Sequence, residues 1–363
     1  MWLKLEARPT ALARMRYLSP LAAVALMLLV SLFLFAALGK DPFTGFRVFF
    51  LNPLRDLHAL AELLLKATPL MLIGIGLAVG YRANVWNIGA EGQFIAGALA
   101  ATGVALHSGE GGALTWLWML LAGALGGALW AAVPALLRTR WRANEILVTL
   151  MMVYIAQFLA SWLVHGPWKN PEGFNFPQTR MFADAALLPV LLEGERLNVA
   201  FVLAIGALLA GYVFLERSFH GYQMQVAGEA DAAARYAGYS SSRAIWIGML
   251  AGGTMAGVAG VAEVAGPMGQ LTESIASGYG FAAIIVAFVG RLHPVGICLA
   301  SLLMALLFLG GEQAQQFINL PSSISKVFQG LLLFFLLGAD LFIGYRIRFD
   351  RTVNPGKLPW KTT

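Results

Sequence analysis

Apolar runs of about 20 residues recur along this chain, and a helix needs about that many residues to cross a ~30 Å hydrocarbon core. The first run is Leu18–Leu38. Only 12% of the 363 residues are charged, whereas soluble domains carry about 25%. Too little polar surface remains to cover a water-soluble globule. We therefore expect an all-α, polytopic membrane helix bundle.

The runs predict about ten transmembrane spans, some of them broken or re-entrant. Gly and Pro interrupt several runs, and Ser277–Val289 is short enough to be re-entrant. The first run exceeds the ~7–15 apolar residues of a secretory signal, which favours an uncleaved helix over a cleaved signal. The predicted spans are Leu18–Leu38, Leu60–Gly80, Trp86–Leu106, Leu114–Leu137, Ile146–Val164, Leu197–Leu215, Ala244–Ala265, Ser277–Val289, Pro294–Leu309 and Ser325–Ile343.

The basic residues predict the orientation, because cytoplasmic loops are enriched in Lys and Arg. If ten spans alternate from a cytoplasmic N-terminus, about two thirds of the 25 Lys and Arg residues fall on the cytoplasmic side. Residues 1–345 then form the membrane domain, with an external loop at 166–196 and a cytoplasmic loop at 216–243. Residues 346–363 form a cytoplasmic tail. This distribution also explains the net charge of +6 without nucleic-acid binding.

One segment places several polar residues at membrane depth, where they are costly and often functional. Asn84, Asn87, Glu91 and Gln93 crowd the start of an otherwise apolar run. Asn87, Glu91 and Phe94 have helical i, i+4, i+7 spacing and share one face. The segment is either a kinked lining of a solute path or a helix N-terminus capped by its own side chains. The spacing alone leaves both open.

Other polar residues near the membrane have simpler explanations. Asn144 is expected to cap the next helix, and Glu145 to interact favourably with its dipole. Lys66 is expected to snorkel or to pair with Glu62. Glu263 lies in a helix rich in small residues and is costly unless it faces partners or water. A position near the solute path and a structural role are both open for Glu263.

The sequence holds no grouping that indicates an enzyme. The five histidines lack metal-ligand spacing, and no Ser-His-Asp grouping is visible. Neither Gly39-Lys40 nor Gly356-Lys357 is followed by Ser or Thr, as a Walker A motif requires. We therefore expect no catalytic residue, no metal site and no cofactor in this chain.

Four segments, at residues 83–93, 143–156, 221–238 and 252–266, together resemble a known family. They are similar to permease subunits of bacterial ABC importers of the branched-chain amino acid, ribose and nucleoside group. The closest resemblance is to nucleoside-type permeases that work with basic-membrane-protein-like lipoproteins. It runs in order from about residue 60 to residue 340.

The resemblance implies a bacterial cytoplasmic (inner) membrane pore, built with a second, homologous permease. It also implies an ABC ATPase subunit that binds ATP and Mg²⁺, and a solute-binding lipoprotein. The cytoplasmic loop would dock on the ATPase, with a short helix over residues 229–236, where strong helix formers lie between glycines. The residues implied in coupling are Gly228, Glu229, Ala233, Ala234, Arg235 and Gly238.

The expected function is ATP-driven import, first of nucleosides and alternatively of simple sugars or other small polar solutes. A secondary transporter is the second alternative. Candidate pathway residues, including aromatic faces for a base, are Asn84, Trp86, Asn87, Glu91, Gln93, Asn144, Glu145, Tyr154 and Glu263. Val153 departs from nucleoside-type relatives, which often carry Asn there; if that Asn contacts solute, the departure weakens the nucleoside assignment and favours a less polar or different solute.

Overall fold

The computed structural model of the chain describes residues 2–7, 15–109, 111–321 and 323–350. The predicted cytoplasmic tail beyond Asp350 lies outside them. The chain folds as two compact units. One comprises Met1–Phe46 and Lys326–Thr363, and the other comprises Arg47–Ser325.

The described backbone is mostly α-helical, as expected. In chain order its elements are β1 (Trp2–Ala7), α1 (Met15–Ala37), α2 (Pro42–Phe46), α3 (Leu57–Arg82), α4 (Ala90–His107), α5 (Thr115–Trp141), α6 (Glu145–His165), α7 (Ala200–Tyr212), α8 (Phe219–Glu229), α9 (Asp231–Tyr236), α10 (Ser241–Glu263), α11 (Tyr279–Val289), α12 (Pro294–Ile318), α13 (Ile324–Gly344) and β2 (Tyr345–Asp350).

The first unit joins the two terminal segments of the chain. Strands β1 and β2 pair antiparallel, with Trp2 opposite Asp350. This short pair is an addition to the expected all-α architecture. Phe35 of α1 packs edge-on against Phe328 of α13, with ring centroids 5.8 Å apart.

The second unit is built around α3, which is buried along almost its whole length. A helix that is apolar on every side is stable only when other helices or lipid surround it. Helices α7, α10, α11 and α12 all pack against α3, and α10 also packs against α4 and α5. Side-chain caps begin several helices; the Asp56 carboxylate accepts a bond of 2.8 Å from the backbone N–H of Ala59 at the start of α3.

Seven of the described helices are long and apolar enough to cross a membrane by length and composition. The expected ten spans are therefore not confirmed. The seven candidate helices are α1, α3, α5, α6, α7 with the π-helical turn Val213–Arg217, α10 with the π-helical turn Val264–Met268, and α12. Helix α11 has only 11 residues, which is about 16 Å or half of a hydrocarbon core.

Irregular chain precedes the α-helices of two predicted spans, Trp86–Leu106 and Ser277–Val289. The predicted span Trp86–Leu106 begins its helix only at Ala90, because residues 84–89 are not helical. The break starts at Asn84, whose φ of +55° leaves the helical region. The other break is Gly269–Gly278, which leads from the end of α10 to the short helix α11.

Close backbone contact holds α10 against its neighbours. A Cβ at Gly257 would lie 2.1 Å from the carbonyl oxygen of Gly123 in α5, and Gly97 of α4 also approaches Gly257. Small residues at such positions let helices approach closely in a membrane. The close packing of α4, α5 and α10 therefore depends on the absence of side chains here.

Gly257→Ala should destabilise the protein by about 1–3 kcal/mol, the usual cost of overpacking. Gly206→Ala is the matched control, because nothing lies within 4 Å of a Cβ at this α7 position. Thermal unfolding of the detergent-solubilised variants measures the difference. Equal unfolding temperatures for both variants would contradict the close packing.

Candidate translocation and coupling site

The Glu91 carboxylate links the N-terminus of α4 to the N-terminus of α11. Its Oε1 accepts a hydrogen bond from the backbone N–H of Gly278 at 2.8 Å, and its Oε2 accepts one from Gly280 at 2.5 Å. Glu91 is 0% exposed and lies in the first turn of α4. It therefore places negative charge at the N-termini of α4 and α11, where helix dipoles favour it.

The Asn87 side chain shapes the non-helical segment before α4. Its amide nitrogen donates to Gln93 Oε1 at 2.8 Å, and the Gln93 amide donates back at 3.1 Å. Asn87 Oδ1 also accepts from the Gly89 backbone N–H at 3.0 Å. Both side chains are buried. Asn87 and Gln93 therefore satisfy each other, and the bond to Gly89 holds the non-helical turn that precedes α4.

An aromatic stack lies beside the same segment. Trp86 contacts Tyr81 and Phe288, with ring centroids 5.4 and 5.8 Å apart. Trp86 Nε1 donates to Asn84 Oδ1 at 2.7 Å. Since Trp86 and Asn84 are both exposed, this is the part of the segment that a solute could contact.

Helix α6 supports the broken segment through its first turns. Asn144 caps α6, accepting from the backbone N–H of Ile146 at 2.9 Å. Glu145 pairs with Arg138 at 2.6 Å. Val153 is buried, and a Cβ at Gly92 would lie 2.9 Å from the Val153 Cα. Val153 therefore lies at a packing contact between α4 and α6.

The remaining predicted pathway residues lie apart from this cluster. Tyr154 is half-exposed on α6. Glu263, at the end of α10, interacts electrostatically with Lys66, Arg196 and Glu312. The expected pair of Lys66 with Glu62 does not form. Lys66 instead binds Glu312 at 2.8 Å.

Helix α9 forms an exposed projection at the α3 C-terminus. Every residue of α9 except Ala234 is exposed, and Tyr236 is 97% exposed. Arg235 pairs with Asp231, which also accepts a hydrogen bond from the Ser241 hydroxyl. The Ser241 bond, with a smaller effect of Arg235, lowers the pKa of Asp231.

The predicted helix over 229–236 is two helices. Helix α8 ends at Glu229, which accepts a bond of 2.9 Å from Gln225 within α8, and α9 begins at Asp231. Ala230 between them is not helical, with φ −151° and ψ 86°. The sequence pattern does not reveal this break, because Ala is a strong helix former.

The α8 C-terminus touches the chain just before the broken segment. A Cβ at Gly228 would lie 2.3 Å from the carbonyl oxygen of Arg82 and 3.0 Å from the Ala83 Cα. Arg82 also pairs with Glu216 and donates to the carbonyl of Leu215 at 2.8 Å. Gly238 has a φ of +80°, which suits the turn after α9. Gly228 therefore places the end of α8 in direct contact with Arg82–Ala83.

Comparison with known proteins identifies the family of this chain. A family model described as branched-chain amino acid transport system / permease component matches residues 59–337. The chain belongs to this family. The permease is a multi-pass membrane protein and a pore-forming subunit, not an enzyme. Among the described residues, no cluster of His, Cys, Asp or Glu could hold a metal ion.

Relatives of the permease cover nearly its whole length. The glucose ABC transporter permease protein TsgB13 of Haloferax volcanii is 36% identical, over 97% of this chain and 96% of its own. The nucleoside permease NupB of Lactococcus lactis and the guanosine permease NupP of Bacillus subtilis are each 28% identical, over 88% and 91% of this chain and 90% and 92% of their own. Each organism has a second permease that also matches this chain. No solved structure matches it.

Sequence reasoning missed the partners of Glu91 in the permease. Gly278 and Gly280 lie 187 and 189 residues further along the chain. The available signal was the Gly278-Tyr279-Gly280 sequence beside a short apolar run, which predicted a broken helix but not its contact. The pairing of Arg82 with Glu216 was also not predicted.

Glu91→Ala should lower the stability of the permease strongly. It leaves the buried N–H of Gly280 and the part-buried N–H of Gly278 without their acceptor, and a buried group left unpaired costs about 1–3 kcal/mol. Glu193→Ala, at an exposed loop position, is the control for loss of a carboxylate. Thermal unfolding in detergent is the measurement. An unfolding temperature for Glu91→Ala equal to that of Glu193→Ala would show that the cap contributes nothing.

Proposed function

We propose that this permease is one of two membrane subunits of an ATP-driven importer in the bacterial cytoplasmic membrane. The observation that carries the proposal is the contact of Gly228, at the end of α8 beside the exposed helix α9, with Arg82–Ala83, which directly precede the broken segment. Such a contact gives a partner outside the membrane direct mechanical access to the interior of the bundle.

Movement would pass through neighbouring contacts. An ATPase that closes on ATP would displace α9, and Gly228 would transmit the displacement to Arg82–Ala83. Residues 84–89 would move next, and Glu91, in the first turn of α4, would pass the movement to α11. Two alternative arrangements of these segments would open the path to one side and then to the other, which is coupling through a bistable element.

The proposed partners are a second homologous permease, an ABC ATPase that holds ATP and Mg²⁺, and a solute-binding lipoprotein. The occurrence of two matching permeases in each relative's organism supports the second permease. The pairing of β1 with β2 supports placing both termini on one side, and the distribution of basic residues favours the cytoplasm for that side.

The solute we propose is a monosaccharide. The glucose permease of Haloferax volcanii shares 36% identity with this chain, and the nucleoside permeases share 28%. Val153, buried against α4, removes the polar group that nucleoside-type relatives often carry there. A nucleoside is the second candidate, favoured by the stack of Trp86 on Tyr81 and Phe288, which offers an aromatic face for a base.

Capture of the partners tests the importer. Tagged permease, gently solubilised from its native membrane, should bring with it an ABC ATPase and a second permease, identified by mass spectrometry. Proteoliposomes that hold the assembly should then import D-glucose only with ATP, and D-glucose should outcompete uridine. Recovery of the permease alone, with solute movement that needs no ATP, would reject the importer and support a secondary transporter.

Tyr236→Ala should remove the ATPase from the captured assembly and reduce ATP-driven uptake about tenfold or more, because an exposed aromatic anchor is typical of binding hot spots. The control is Phe174→Ala, since Phe174 is 95% exposed but lies in the predicted external loop. It should leave ATPase capture unchanged. Normal capture by Tyr236→Ala, or loss of capture by both variants, would count against α9 as the docking helix.

A further inference from the structure

A polar pocket lies at the end of the second unit opposite α9. Its cavity measures about 360 Å³ and is formed by the chain around the start of α3, by Arg196 and by the last turns of α12. His58 in this wall and Arg82 beside α8 are separated by 24 residues of one helix, which is about 36 Å. The pocket therefore lies where solute would enter if α9 is cytoplasmic.

Two ion pairs lie at the wall of the pocket. Arg196 binds Glu62 through two nitrogens, at 2.9 and 2.5 Å. Lys66 binds Glu312 at 2.8 Å. Arg55 and Asp56 also line the pocket and have opposite charges, so an ion of either sign would meet a group of like charge. The pocket is therefore suited to a neutral ligand that exchanges hydrogen bonds.

Hydrogen-bonding capacity remains available in the same wall. Gln313 Oε1 is buried and has no hydrogen-bond partner among the described residues. An orphaned buried acceptor is costly in a folded protein. Gln316 adds an exposed amide to the pocket. A turn of the Gln313 amide towards the cavity would let a ligand hydroxyl supply the donor that its Oε1 lacks.

One wall is aromatic. Phe317 lines the pocket and is 67% exposed. A sugar ring presents hydroxyls at its edge and C–H groups on its face, so it matches amides and carboxylates beside an exposed aromatic ring. The volume lies at the lower end of the ~300–1,000 Å³ typical of small-molecule sites, which suits one such ring.

We propose that this pocket is an entry site that binds a neutral monosaccharide through Gln313, the paired carboxylates and the Phe317 ring. This inference rests on the proposed importer for its physiological direction. The binding itself needs neither ATP nor a partner.

The test is D-glucose binding to the full-length permease in nanodiscs, measured by saturation-transfer NMR without ATP. Gln313→Leu and Phe317→Ala should each raise the Kd for D-glucose about fivefold, the effect of losing one hydrogen bond or one ring contact. Gln315→Leu is the matched control, because Gln315 lies on the same helix and is exposed outside the pocket. It should leave the Kd unchanged.

Three results would overturn the entry site. The first is no saturable D-glucose binding by the unsubstituted permease. The second is the same Kd in the pocket variants and the control. The third is pocket variants that no longer capture the lipoprotein but bind D-glucose as before. Because Phe317 is exposed, its variant keeps the test informative if Gln313→Leu unfolds.

ATP-driven uptake is measured separately. Uptake without pocket binding rejects only the pocket, and pocket binding without uptake rejects only the importer.

Discussion

A carboxylate enclosed by two helix N-termini determines the interior of this permease. An isolated charge at this depth would be strongly unfavourable. Glu91 is tolerated because it accepts from the backbone N–H groups of Gly278 and Gly280 and lies in the first turn of its own helix. The same contact attaches the start of α11 to α4. Helix α11 has 11 residues, which are too few to cross a bilayer alone.

The broken segment before α4 is possible only because its backbone groups find partners inside the protein, as irregular chain at membrane depth requires. Asn87 Oδ1 accepts from the Gly89 N–H, and the Tyr81 hydroxyl donates to the Asn87 carbonyl at 3.1 Å. These are side-chain bonds, which can exchange without unwinding a helix. The segment next to Arg82–Ala83 is therefore held by side chains rather than by a continuous helix.

Hydropathy predicted most of the helices, because the length and polarity of a run report directly on membrane insertion. Local rules also predicted the Asn144 cap. They could not predict contacts between distant segments. Lys66 had Glu62 four residues away but binds Glu312, 246 residues along the chain, since α12 packs against α3. Likewise, the break at Ala230 between α8 and α9 occurs in a sequence of strong helix formers.

Charge pairing in the entry pocket also bears on how tightly a solute can be held. A neutral sugar gains hydrogen bonds there only by exchanging them with ion pairs that already satisfy one another, so the net gain is small. Weak binding suits a subunit that must release its solute at every cycle. In the proposed importer, affinity belongs to the solute-binding lipoprotein, and the ATPase acts at the other end of α3, where Gly228 lies against Arg82. On this view solute binds at one end of the buried helix α3, and the force that drives transport is applied at the other end.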